Sequence, residues 1–141
     1  MIFLIDNIKD KIAEKLAIIC PETPIYKNNQ KMGFKEPSFF IVKIGTEVKP
    51  EWMNYQFRKY SYQLIYFPDP EDINSDIEAK ESILLDTFTE LNEFAKIRNR
   101  EFKVSYDTLQ VIFEIWLRAK PVDHTPKQAH MKFKGGITDG R

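Results

Sequence analysis

Apolar residues at Ile5, Ile8, Ile12, Leu16 and Ile19 recur at three- and four-residue steps, while Asp6, Lys9, Asp10, Lys11, Glu14 and Lys15 take the other positions. That spacing predicts an amphipathic helix with one face turned to a core. Pro21 and Pro24 predict its end near Cys20, because proline restricts the residue before it and cannot continue the helical bonding. Ile25 and Tyr26 then form a short extended segment, and Asn28, Asn29 and Gly33 supply turn chemistry.

After Pro37 the pattern changes period. Phe39 to Ile44 is a run of β-branched and aromatic residues suited to a largely buried strand, with Gly45 expected to end or bend it. From Arg58 to Phe67, Tyr60, Tyr62, Leu64 and Tyr66 alternate with Lys59, Ser61, Gln63, Ile65 and Phe67, which is the clearest strand of the chain. Pro50 makes the interval from Thr46 to Gln56 a loop or irregular edge joining the two, with Trp52 and Tyr55 as its large side chains. Pro68 and Pro70 break the pattern.

A second helix is expected next, capped by Asn74 or Ser75, with Ile77, Leu84, Phe88, Leu91 and Ala95 as its apolar positions. Arg98 and Arg100 would complement its C-terminal dipole. Phe102, Val104 and Tyr106, then Leu109, Val111, Phe113, Ile115 and Leu117, alternate with polar residues and predict two more strands turning at Asp107 and Thr108. The absence of glycine there weakens a tight turn and leaves one long bent strand as the alternative.

The expected fold class is therefore α+β. One domain over 1–120 has a mixed or antiparallel sheet of four to five strands against two helices in the order α-β-β-β-α-β-β, and residues 121–141 form a flexible or assembly-ordered C-terminal arm. The 43% hydrophobic and 13% aromatic content of 141 residues suffices for one core. Aspartate plus glutamate and lysine plus arginine are equal at 21 each, so no global basic signature of a nucleic-acid binder is present. A lone cysteine, Cys20, allows no internal disulfide and fits a reducing compartment. No run approaches the roughly 18 apolar residues of a membrane span, and the acids after Ile5 interrupt any signal-peptide core, so a soluble building block is expected.

Catalytic chemistry finds no support in the chain. His124 and His130 stand six residues apart, which matches no usual metal-ligand spacing, and an ordinary solvated tail accounts for them. Phosphate-binding, dinucleotide and nucleophile-elbow motifs are missing. Cys20 has no histidine nearby in sequence and reads as a core thiol. Neither a metal, a cofactor nor a catalytic residue is assigned.

Charge is more informative when taken locally. Between Asp69 and Glu93 nine acids face Lys80 alone, whereas from Arg118 to Arg141 six bases face Asp123 and Asp139. A negative face and a positive arm permit head-to-tail association, although solubility alone also explains them. Asp76, Glu78, Glu81, Asp86 and Glu90 on one side, and Lys120, Lys127, Lys132 and Lys134 on the other, are the candidate interface or lumen residues. Tyr55, Phe57, Arg58, Lys59, Tyr60 and Tyr62 interleave aromatics with bases. That is a possible single-stranded nucleic-acid surface, although such residues at strand spacing more commonly form a sheet face.

The order of Ile25-Tyr26, the loop Gln30 to Pro37 with Gly33, Phe39-Phe40-Ile41, and Tyr66-Phe67-Pro68 resembles the tail terminator family of bacteriophages and phage-tail-like particles. The resemblance covers the first half well, marked by Gly33, Pro37, Phe39, Phe40, Tyr66, Phe67 and Pro68, and is generic beyond. It implies a structural virion protein at the head-proximal end of the tail, assembled in the bacterial host cytoplasm. Such a protein forms a ring, typically a hexamer, that stops growth of the tail tube and offers the joining surface for the head or neck. The implied partners are copies of the chain itself, the tube protein, the sheath protein of a contractile tail and a neck or head-completion protein. DNA would pass the lumen without being read, and no membrane is involved. Two alternatives remain: a head-completion or neck connector of the same particle, and, more distantly, a small nucleic-acid-binding regulator.

Overall fold

A computed structural model describes residues 6–28 and 35–121 of the chain. Gly33 and the residues around it, His124, His130, Lys127, Lys132, Lys134 and the rest of the C-terminal arm lie outside the described residues. The elements run α1 (Asp6–Ile19), β1 (Ile25–Tyr26), β2 (Ser38–Pro50), β3 (Gln56–Phe67), α2 (Ile73–Thr87), β4 (Glu90–Leu91), β5 (Ala95–Ser105) and β6 (Thr108–Ala119). The class is α+β with two helices. The strands form one six-stranded mixed sheet in the order β1-β2-β3-β6-β5-β4, rather than the four to five strands expected. Among the described strands β1 and β2 pair in parallel and the other neighbours are antiparallel.

The additional strand explains the largest discrepancy. The helical spacing continues through Phe88, Leu91 and Ala95, yet α2 stops at Thr87, and Leu91 and Ala95 pair with each other across the β4–β5 turn. Asn92 and Glu93 both adopt positive φ there, which ends helical bonding whatever the spacing of the apolar residues. Leu91 is buried all the same, so the core requirement that generates the pattern is met by a strand. The helix also begins earlier than expected: Asp72, rather than Asn74 or Ser75, precedes its first turn.

Arg98 and Arg100 belong to β5, not to the end of α2. Arg100 nonetheless performs the expected electrostatic task through the tertiary fold: one of its guanidinium nitrogens donates to the carbonyls of Leu84 (3.0 Å), Leu85 (3.2 Å) and Phe88 (3.1 Å). The Leu84 carbonyl also accepts the Phe88 N–H at 2.9 Å, so Arg100 adds a charged donor at the helix C-terminus, where positive charge is favourable. A bulge between Arg98 and Glu101, with Asn99 at φ 54°, sets the arginine in this position.

The hairpin that closes the sheet turns at Tyr106 and Asp107, both with positive φ (51° and 59°), and Thr108 already pairs with Ser105. The turn is therefore a two-residue loop of mirror-image type, one residue earlier than Asp107-Thr108, formed without glycine. The alternative of a single bent strand is excluded.

The core lies between one face of the sheet and both helices. Ile8, Ile12 and Leu16 of α1 and Ile77 and Leu84 of α2 meet Phe39, Ile41, Tyr62, Leu64, Tyr66, Leu109, Val111 and Phe113. Aromatic rings centre it: Phe113 stands edge-on to Phe88 at 5.2 Å and stacks with Tyr62 at 6.2 Å. Cys20 is buried at the end of α1, in keeping with a core thiol. Lys80 reaches its sulfur at 3.5 Å.

β2 departs most from expectation. Gly45 lies in a bulge between Lys43 and Gly45, but the strand continues through Thr46, Glu47, Val48 and Lys49 to Pro50. The connection to β3 shrinks to residues 51–55, closed by the Glu51 N–H bonding the Tyr55 carbonyl at 2.8 Å. Pro50 is tolerated because it ends the strand, where its missing donor interrupts no ladder.

Candidate assembly surfaces

The strand alternation fixes two faces. The inward positions of β3 and β6 are buried, whereas Phe57, Lys59, Ser61, Gln63, Ile65 and Phe67, with Gln110, Ile112, Glu114 and Trp116, are half-buried on the other face. Among the described residues no helix covers that second face.

At one end of this open face the residues of the family-like motif gather. Phe40 lies between Tyr26 (5.0 Å) and Phe67 (5.2 Å). On the core side Phe39 faces Tyr66 at 4.9 Å, its register partner on β3. Pro37 follows a cis peptide bond from Glu36, and Pro68 is buried. The motif therefore builds the root of the β2–β3 hairpin and its packing on both faces.

Tyr66 links this root to α2. Its hydroxyl donates to Asp76 at 2.7 Å, and the same carboxylate oxygen accepts the N–H of Asp69 at 2.8 Å. Burial, then the bonded Asp76 carboxylate, push the Tyr66 hydroxyl well above the usual tyrosine range. Asp76 is thus occupied inside the fold. Glu78, Asp86 and Glu90 are exposed and Glu81 is half-exposed, and none of these four makes an ion pair among the described residues.

At the opposite end β2 and β3 leave the helices behind. From Val42 to Pro50 no residue of β2 is buried, and the turn presents Trp52 (83% exposed) and Met53 (69%), with Ile44 and Val48 also exposed. Two ion pairs brace this arm: Arg118 with Glu51 at 2.8 Å and Lys59 with Glu47 at 4.0 Å. Lys120 sits over the Tyr55 ring, 5.9 Å from its centre, so it flanks the arm.

On the open face, where the arm joins the sheet, Trp116 lies between the Arg98 guanidinium at 4.4 Å and the Lys59 ammonium at 5.3 Å from its ring centre. Its indole N–H donates to Glu114 at 2.8 Å, and the Asn99 amide donates to the same oxygen at 2.9 Å. These two donors, with Lys59 beyond them, hold the Glu114 carboxyl below its usual range despite partial burial.

The proposed nucleic-acid series is divided by this geometry. Tyr60 and Tyr62 are buried in the core and offer no ring for stacking, while Phe57 and Lys59 point to the open face and Arg58 bonds Gln56 and Tyr60. Among the described residues no group of His, Cys, Asp and Glu is placed to hold a metal ion, and no helix is long and apolar enough to cross a membrane.

Residues 7–127 match the model of a family described as phage tail terminator protein. The chain belongs to this tail terminator family. No curated protein matches it at a significant level. Family membership makes it a component of a phage-type tail.

Where a loop or irregular edge is expected from Thr46 to Gln56, most of the interval is strand, because Gly45 only bends β2 at a bulge and Pro50 falls at its last residue. The signal that would have found the strand is the alternation itself, since Thr46 and Val48 keep the β-branched spacing up to Pro50.

Proposed function

We propose that this chain closes a phage-type tail by assembling as a ring, with six copies as the expected number, on the head-proximal end of the tail tube. The ring stops addition of further tube subunits, and of sheath where the tail is contractile, and presents a surface to the neck or head-completion protein. DNA passes through its lumen without base-specific contacts. The chain works by matching surfaces and transforms no molecule.

The family match over residues 7–127 carries this reading. The arm and the open sheet face add to it, because a ring subunit needs at least two unlike surfaces, one for each neighbour. Aromatic and arginine side chains, such as Trp116 with Arg98 over its ring, are enriched at interfaces.

Electron microscopy of particles assembled without this chain tests the proposal. Overlong tails without heads are the expected product, and supplying the chain during assembly should restore normal length. Headless tails of normal length would instead assign the chain to the connector alone.

A further inference from the structure

We propose that the β2–β3 arm of one copy docks on the outer face of α2 of the next, joining a basic apolar hairpin to an acidic apolar helix. This contact rests on the ring reading above and specifies how its subunits meet.

The arm has both parts of an interface. Trp52 and Met53 form an exposed apolar tip, continued by Val48. Its acids are consumed internally, Glu47 by Lys59 and Glu51 by Arg118, while Lys49 has no partner among the described residues and Lys120 has only the face of Tyr55. Lys49 and Lys120 therefore leave positive charge on an arm that is tipped by a tryptophan, a residue type enriched among the anchors of protein contacts.

α2 carries the complement. Glu78, Ser82 and Asp86 recur every four residues and form one exposed stripe, flanked by the exposed Ile83 (40%) and Leu85 (45%). The single base of the helix, Lys80, is turned inward toward Cys20 and the Tyr66 ring, so it neutralises none of this stripe. Exposed isoleucine and leucine beside unpaired acids match an apolar tip on an arm with unpaired lysines.

One chain cannot satisfy both surfaces itself. Tyr66, bonded to Asp76 near the start of α2, lies ten residues along β3 from Gln56 beside the tip, a separation of roughly 30 Å at strand rise. The two surfaces differ and lie apart, so the contact between copies is heterologous, the type that closes into a ring.

The test uses two full-length proteins, Lys49→Glu/Lys120→Glu and Glu78→Lys/Asp86→Lys, examined by sedimentation alone and with purified tail tubes. Each protein alone pairs like charges and should require at least about tenfold higher concentration to assemble. Mixed in equal amounts they should recover assembly, because the acidic arm of one meets the basic helix of the other, and its basic arm meets the first protein's acidic helix. Recovery on mixing is not expected of proteins that merely misfold. Trp52→Ala should weaken assembly by a similar factor without changing the melting temperature.

If either charge-reversed protein assembles like the wild type, or the mixture stays dissociated, the contact is wrong and the ring reading is untouched. If Trp52→Ala abolishes attachment to tubes but leaves rings intact, the arm meets the tube and the proposal falls. Wild-type protein that stays monomeric even with tubes removes the ring itself, and this contact with it.

Discussion

The root and the arm of the β2–β3 hairpin share the same two strands and the same alternation, yet among the described residues the helices cover only the root. At the root, Phe39, Ile41, Leu64 and Tyr66 are buried under α1 and α2. Along the arm, the positions on the same side of β2 are Lys43, Thr46 and Val48, all exposed. A strand is stabilised by what its faces touch more than by its own propensity, so the root holds the domain together while the arm is free to complete another surface. On the side of β2 that faces the core at the root, Phe39 and Ile41 give way around the bulge to Lys43, Thr46 and Val48.

The comparison breaks most sharply under truncation. Phe113→Ala removes a ring packed against Phe88 and Tyr62 and should cost about 3–5 kcal/mol of folding stability. Trp52→Ala removes a larger ring from solvent and should change stability by no more than about 0.5 kcal/mol. Denaturant unfolding of both proteins measures the difference, and an equal loss would mean that the arm is part of the cooperative core.

Second in size is the clasp between β5 and α2. Arg100→Met keeps much of the aliphatic length but leaves the carbonyls of Leu84, Leu85 and Phe88 without their charged donor, for an expected loss of about 2 kcal/mol. Hydrogen exchange should localise the loosening to the last turn of α2 and leave the arm unchanged. Equal effects in both regions would argue that the arm depends on the helix layer.

What was legible in the chain divides along the same line. Ile8, Ile12 and Leu16, and Tyr60 to Tyr66, advertise their faces because a covered face demands regular apolar spacing. Among the described residues nothing covers the β2 side of the arm, so its alternation carries little apolar contrast, and Gly45 and Pro50 resemble breakers when their paired strand is unknown. Leu91 and Ala95 mislead in the opposite sense: two buried or half-buried positions continue a helical spacing by coincidence across a turn set by Asn92 and Glu93. The candidate acids were found by charge counting, but counting could not reveal that Asp76 is committed to Tyr66. Trp52 stands out in the sequence only as a large side chain of an expected loop, and Trp116 and Lys49 carry no signal there, because a single side chain outside the core leaves no periodic trace.

Tyr66 tests the root at the opposite end from the arm. Tyr66→Phe removes the hydroxyl bonded to Asp76 and should cost about 1–2 kcal/mol near neutral pH. The folded tyrosine holds its proton more tightly than the unfolded one, so its contribution is complete below the unfolded value, about 10, and declines as pH rises beyond it. Wild-type protein should therefore lose stability above about pH 10 more steeply than the phenylalanine variant. Parallel alkaline curves would show that the hydroxyl ionises as freely in the fold as outside it.

The smallest effect lies where the arm joins the sheet. Glu114 is ionised more readily in the folded chain because the Trp116 indole and the Asn99 amide donate to its carboxylate, with Lys59 adding attraction. A lowered folded value makes this contribution present above the unfolded value, about 4.3, and lost as pH falls below it through the folded value. Glu114→Gln keeps an oxygen for the two donors and removes the titration, so its stability should fall less between neutral pH and pH 3 than that of the wild type. Because Trp116 is fixed by this carboxylate and flanked by Arg98 and Lys59, its fluorescence should report the same protonation before the core unfolds. A tryptophan signal that changes only with global unfolding would mean that the join is as rigid as the root. The contrast between the two ends would then lie in burial alone and not in how firmly each is held.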